Sequence, residues 1–239
     1  MDGFTYHDIF QTKGIEYIII ILFLLLLIPF WIIINKNDYL KTKIKKAVRF
    51  LTRDTLRVPR GVFISPMHTW AFMEKSGMAK IGPDDLLALL AGEVNLEFLK
   101  KPGEEVKRGD LIAEVGVGEK KLQIISPVSG TISRPNHSLA EQRHLFADDP
   151  YGQGWIFEIS PSAWKEETNS YRLGEEAVSW TYGELDRFKD FLAKSMVRHS
   201  LAGKGIILQE GGEIMAGSLA EMPEQIWVEF QEEFLSDHH

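Results

Sequence analysis

The sequence predicts a mainly β domain with short helices, preceded by one N-terminal transmembrane helix and followed by a small α+β extension. Three observations predict it. Residues 17–34 carry no charge, residues 61–164 break into short apolar runs separated by Gly, Pro and Asp, and residues 165–239 return to helical periodicity. The expected divisions are a leader at 1–14, a membrane span at 15–35, a basic juxtamembrane helix or linker at 36–60, the β domain at 61–164 and the extension at 165–239.

The run "YIIIILFLLLLIPFWIII" from Tyr17 to Ile34 has one polar group, the tyrosine hydroxyl. At about 1.5 Å per residue, such a helix comes close to crossing a hydrocarbon layer of about 30 Å. It shows neither the polar face of a core helix nor the basic start and small-residue cleavage site of a signal peptide, so a retained single-pass anchor is expected. Pro29 lies near one end, where a kink is tolerated.

The net charge of −7 is unevenly spread. Residues 1–35 carry Asp2, Asp8 and Glu16 against Lys13. Residues 36–60 carry Lys36, Lys41, Lys43, Lys45, Lys46, Arg49, Arg53, Arg57 and Arg60 against Asp38 and Asp54. All the remaining net charge is acidic. Positive charge on the C-terminal side of the span places the main domain in the cytoplasm and the N-terminus outside, at an inner or cytoplasmic membrane. Leu40, Ile44, Ala47, Val48 and Leu51 recur at helical spacing, which fits either a helix along anionic lipid or a solvated linker. Nucleic acid is not expected as a partner, because the basic tract abuts the span and an acidic body follows.

Within the β domain, the expected strands are Val62–Ile64, Trp70–Lys75, Met78–Ile81, Val94–Phe98, Leu111–Val117, Lys121–Ile125, Gly130–Ser133 and Trp155–Ile159. A helix is expected from Pro83 to Leu90, with Pro83 in its first turn and Asp84 and Asp85 at the positive end of its dipole. In the extension, Thr181 and Glu184 form a capping-box pattern ahead of Leu185, Phe188, Leu192 and Met196. "KGIILQEGGEIMAG" reads as a hairpin turning at Gly211 and Gly212. A last helix starts at Pro223 with Ile226, Phe230 and Phe234 on one face. The extension either folds back as a lid or presents Trp227, Phe230 and Phe234 to another subunit.

The absence of cysteine excludes disulfides, thiolate metal sites and a cysteine nucleophile. His68, His137 and His144 have no metal-ligand spacing, and no nucleophile elbow, Ser-His-Asp order or His-Glu-x-x-His occurs. A helix start explains Asp84 with Asp85, and a turn explains Asp148 with Asp149, better than acid–base chemistry does. No catalytic set and no metal site are expected, so the chain is read as a non-enzyme. Gly116–Lys121 lacks phosphate-loop spacing.

Three separated segments carry a family resemblance. His68 to Trp70 forms a His-x-Trp opening, "AKIGPDDLLALLAGEV" a strand and helix, and "DPYGQGWIFEI" a closing segment, with "SPVSGTI" between the last two. In order and spacing the chain resembles the glycine cleavage system H protein over about 100 residues. The resemblance implies a lipoyl-type hammerhead fold, two small sheets forming a flattened sandwich with a cofactor-bearing lysine on a protruding hairpin. It also implies lipoate as the cofactor. In such hairpins the modified lysine lies eight positions before the proline of the "SPVSG"-like segment. Counting back from Pro127 gives Glu119, with Lys120 and Lys121 one and two places later. Gly116-Val117-Gly118-Glu119 stands where the family has Glu-Ser-Val-Lys. A one-place shift redirects a side chain on a strand, although a bulge can absorb it.

Two functional expectations follow. In one, the chain is a non-catalytic docking subunit of a cytoplasm-facing membrane complex, with redox enzymes among its candidate partners and no lipoate. In the other, it is a true carrier lipoylated at Lys120, moving aminomethyl groups or reducing equivalents. Binding of anionic lipid by the basic tract is a further expectation.

Overall fold

The computed structural model describes residues 17–29, 50–199 and 214–236, and the chain divides into two compact units, Met1–Arg49 and Phe50–His239. In the first unit, residues 17–29 form helix α1, whose side chains from Tyr17 to Ile28 are all exposed. Among the described residues no helix is long and apolar enough to cross a membrane. The expected leader at 1–14, both ends of the expected span and the basic residues 36–49 lie outside the described residues.

The second unit holds three antiparallel sheets among its described residues, two of them forming the β domain. Strands β2 (Phe63–Ile64), β3 (Thr69–Met73), β4 (Ala79–Pro83), β10 (Phe157–Pro161), β9 (Gly130–Pro135) and β6 (Glu105–Val106) form the larger sheet, in that spatial order. Strands β5 (Asn95–Phe98), β7 (Leu111–Val117) and β8 (Lys120–Ile125) form the smaller one. Alternation sets the faces. On β8, Leu122 and Ile124 are buried while Lys121 and Gln123 are exposed. The pairing of β7 skips Ile112, and this bulge turns both Ile112 and Ala113 inward. Ile81, Val115, Leu122, Ile132, Phe157 and Ile159 join one apolar core.

Helix α2 (Asp85–Ala91) starts later than the sequence suggests. Pro83 closes β4, and Asp84 is the N-cap, its side chain accepting from the Leu87 amide at 2.8 Å. Gly92 ends the helix at φ 72°. Every residue of α2 is buried, so the helix has cover on all sides. The sheets account for only part of it.

A short helix at Leu145–Asp148 and the C-terminal extension supply the remainder. Short helices α3 (Ser138–Glu141), α4 (Leu145–Asp148) and α5 (Trp164–Thr168) lead to α6, a helix of 24 residues from Glu175 to Arg198. Thr181 therefore lies inside α6, and does not cap it. Its hydroxyl donates to the Ala177 carbonyl at 2.9 Å. Strand β11 (Ile214–Met215), a 3₁₀ turn (Ser218–Glu221), helix α7 (Glu224–Phe230) and one π-helical turn (Gln231–Leu235) complete the unit. The first arm and the glycine pair of the expected hairpin lie outside the described residues, and Ile214–Met215 pairs with β1 (Phe50–Leu51). Residues 50–60 consequently belong to the folded body and are not a helix: Leu51 and Leu56 are buried, and the Arg57 amide donates to Asp85 at 2.7 Å.

Trp227, Phe230 and Phe234 are buried, so they are not free to face another subunit in this conformation. Phe230 and Phe234 stack at 4.8 Å, and Phe188 meets Phe230 edge-on at 5.7 Å. Each such pair contributes about 0.5–1.5 kcal/mol beyond its buried area. The extension reaches α2 at a close approach of two glycines. A Cβ on Gly92 would lie 3.0 Å from the Gly217 Cα, and the Gly217 amide donates to the Leu89 carbonyl at 2.7 Å.

Candidate functional site at the β7–β8 hairpin

Strands β7 and β8 are joined by two residues, Gly118 and Glu119, with Val117 paired to Lys120. Gly118 has φ 63° while Glu119 does not have a positive φ, the pattern of a type II′ turn, which favours glycine at its first central position. Glu119 is thus at the exposed apex. Gly116 is equally constrained, because a Cβ there would lie 2.1 Å from the Lys120 carbonyl oxygen. The register irregularity of this hairpin lies at its base, between Leu111 and Ala113, and leaves the tip regular.

The two lysines leave the strand in opposite directions. Lys121 shares the outer face with Gln123, and its Nζ reaches Glu97 at 2.9 Å and Glu114 at 2.5 Å. Hydrogen bonds to Glu114 and then Glu97 hold its pKa above the ordinary lysine value. Lys120 shares the parity of buried Leu122 and Ile124 and points beneath the C-terminal extension. Its Nζ donates to the carbonyls of Ala220 and Met222, the latter at 3.0 Å, and lies 5.5 Å from the ring centroid of Trp227. Three residues further along β8, the Gln123 amide donates to the Gln231 side chain at 2.7 Å, so the extension also covers the outer edge of this strand.

These residues do not fit a lipoyl arm. A carrier lysine must present a free amine at a projecting tip. Here the tip carries a carboxylate, and the nearest amine is half-buried and engaged with two main-chain carbonyls.

The segments behind the family resemblance have structural work. His68 is buried, with Nδ1 2.7 Å from Asp84 and Nε2 3.4 Å from Glu184 of α6, an ion-pair distance longer than a well-formed hydrogen bond. Trp180 lies 5.0 Å from the imidazole, centroid to centroid. Burial opposes the imidazolium, but the Asp84 charge and hydrogen bond, reinforced by Glu184, overcome it and raise the pKa from 6.5 to about 9. Asp149 accepts from the amides of Gly152 and Gln153 at 3.2 and 2.9 Å and so shapes the closing turn. The Asp85 amide donates to the Tyr151 hydroxyl at 3.2 Å.

His137 and His144 are exposed on different short segments, and no group of metal-ligating side chains occurs among the described residues. The sequence reading missed the partners of Lys120. Ala220 and Met222 act through main-chain oxygens, which leave no side-chain pattern. The available signal was the run Leu86–Ala91, apolar on every face, which requires cover from a segment beyond the sheets.

The family model for the glycine cleavage H-protein matches residues 63–181. Probable glycine cleavage system H proteins of Pyrococcus abyssi and Aeropyrum pernix are 30% and 36% identical to the chain. They align over 46% and 47% of it and 82% and 74% of their own lengths. The glycine cleavage system H protein of Coprothermobacter proteolyticus is 29% identical over 58% of the chain and 100% of its own length. A crystal structure of a glycine cleavage system H protein from Mycobacterium marinum aligns with 53% of the chain at 22% identity and a TM-score of 0.45. The family match ends inside α6, so Ala220, Met222, Trp227 and Gln231 all lie beyond it. By sequence the chain belongs to the glycine cleavage H-protein family, a family of lipoyl carriers.

Proposed function

We propose that this protein is a membrane-anchored, non-catalytic docking subunit of a cytoplasm-facing complex, and that its H-protein domain works without lipoate. The observation that carries the reading is the hairpin apex, where Glu119 occupies the carrier position and the adjacent Lys120 is held by the extension. A rigid domain with every hairpin lysine engaged presents a fixed surface to partners at little entropic cost. The uniformly exposed apolar side chains of α1, followed in sequence by the basic tract, support an anchor with the body on the cytoplasmic side. Redox enzymes are the candidate partners, and anionic lipid is the candidate ligand of the basic tract.

The test is the intact mass of protein purified from its native membrane, with peptide mapping across Gly109–Gly130. An unmodified hairpin is expected, and a lipoyl increment on Lys120 or Lys121 overturns the reading. Resistance of the membrane-bound protein to alkaline carbonate extraction is expected of the anchor, and release into the supernatant refutes it.

Family membership favours a second reading, lipoylation at Lys120 with transfer of aminomethyl groups or reducing equivalents. It requires the Lys120 Nζ to leave both carbonyls. Loss of the native activity in Lys120→Arg supports it, and retained activity excludes it.

A further inference from the structure

The carbonyls that hold Lys120 come from a segment outside the family match, and they use the amine in a way that conflicts with its acylation. The ammonium carries three protons. Two donate to Ala220 and Met222, and the positive charge faces Trp227. Acylation by an activated acyl donor forms an Nζ–carbonyl carbon bond, breaks the bond from that carbon to its leaving group and releases two protons from the ammonium. The product is a neutral amide with one N–H. It cannot satisfy both carbonyls, it has no charge to place over the indole, and its acyl chain needs the space that the 3₁₀ turn and α7 occupy.

We propose that the C-terminal segment 218–231 is an autoinhibitory clasp on Lys120, and that closure of this segment and acylation of Lys120 are mutually exclusive. The inference deepens the lipoate-free reading above and rests on it. A second contact reinforces the clasp: Gln231 bonds the main chain of Gln123 on the same strand, so the segment is fastened to β8 at two points. Lys121, one place along, faces the opposite side and is bound by Glu97 and Glu114, which makes it the internal control.

The experiment uses the full chain in detergent with sulfosuccinimidyl acetate as the acyl donor, followed by peptide mapping over time. Lys120 is expected to acetylate at least about tenfold more slowly than the exposed Lys101, because reaction waits for local opening of the segment. A second measurement is hydrogen exchange of the α7 amides. Lys120→Gln, a neutral side chain of similar polarity, is expected to speed that exchange by about tenfold, and Lys121→Gln to leave it unchanged. Acetylation of Lys120 as fast as Lys101, or α7 exchange unaltered in Lys120→Gln, overturns the clasp. The native intact mass separates this failure from that of the functional reading. An unmodified chain with a fast-reacting Lys120 removes the clasp alone. Native lipoylation of Lys120 with fast α7 exchange removes the lipoate-free reading and leaves the exclusivity intact. Native lipoylation with α7 still protected removes both.

Discussion

Raising the pH should unfasten the extension from the β domain through a single buried histidine. His68 joins two parts of the chain: Asp84 belongs to the start of α2, and Glu184 to α6. Trp180 and Phe234 also face its ring, and Arg187 bonds Glu184 at 2.7 Å from the solvent side. Folding raises the His68 pKa from 6.5 to about 9. At about 1.4 kcal/mol per pH unit, the charged form therefore contributes on the order of 3 kcal/mol. The folded state binds the proton more tightly than the unfolded state, so this contribution is complete below pH 6.5, declines above it and is gone once the pH has passed 9. The assay is urea unfolding of the full chain in detergent at pH 6, 7.5 and 9.5, for wild type and His68→Gln. Subtracting the variant cancels the other groups that titrate in this range. The stability difference should shrink by on the order of 3 kcal/mol between pH 6 and 9.5, and Glu184→Gln should shrink less. A difference that stays constant across the range refutes the buried imidazolium.

Further predictions concern the hairpin and the extension. Phe188→Ala should cost about 3–5 kcal/mol in denaturant unfolding, since it empties the centre of the aromatic cluster against Phe230 and Phe234; a cost below about 1 kcal/mol would mean the cluster collapses freely. Gly116→Val should destabilise the hairpin or shift its register, read as altered hydrogen exchange across β7 and β8, because the added Cβ meets the Lys120 carbonyl. Glu119→Lys places an amine at the apex, and incubation with lipoate, ATP and a lipoate ligase should add one lipoyl group at position 119 and none to wild type. Modification of Lys120 or Lys121 in the wild-type chain under the same conditions would contradict the lipoate-free reading. Deleting residues 214–239 uncovers α2 and should turn the protein into an aggregating species by light scattering, whereas a monodisperse truncated chain would show that α2 needs no second cover.

The sheets were largely legible because their signal is local. Short apolar runs broken by Gly, Pro and Asp placed Leu111–Val117 at its observed limits, and six of the other seven expected strands start within one residue of the observed ones. The short strand β6 and helices α3 to α5 were missed, being too brief to establish a period. The error at α6 has a different cause. Its N-cap is Gly174, which offers no side-chain acceptor, so the true start carries no capping signal, while the Thr181 and Glu184 pattern occurs in the helix interior. There Thr181 bonds backward along the helix and Glu184 turns toward His68. At the candidate site, the place of Glu119 followed from counting along a hairpin of fixed length. The fate of Lys120 did not, because its partners are carbonyl oxygens about a hundred residues away, and main-chain acceptors look alike whatever side chains they bear.

The pairing of β1 with β11 sets a timetable for the chain. Phe50 and Leu51 are made roughly 160 residues before their partners Ile214 and Met215. At about 5–20 residues per second, the first strand of the body waits roughly 8–30 s for the strand that completes it. During that interval Leu51 and the apolar faces of α2 need another shelter, which makes the nascent chain most prone to wrong pairing before β11 arrives.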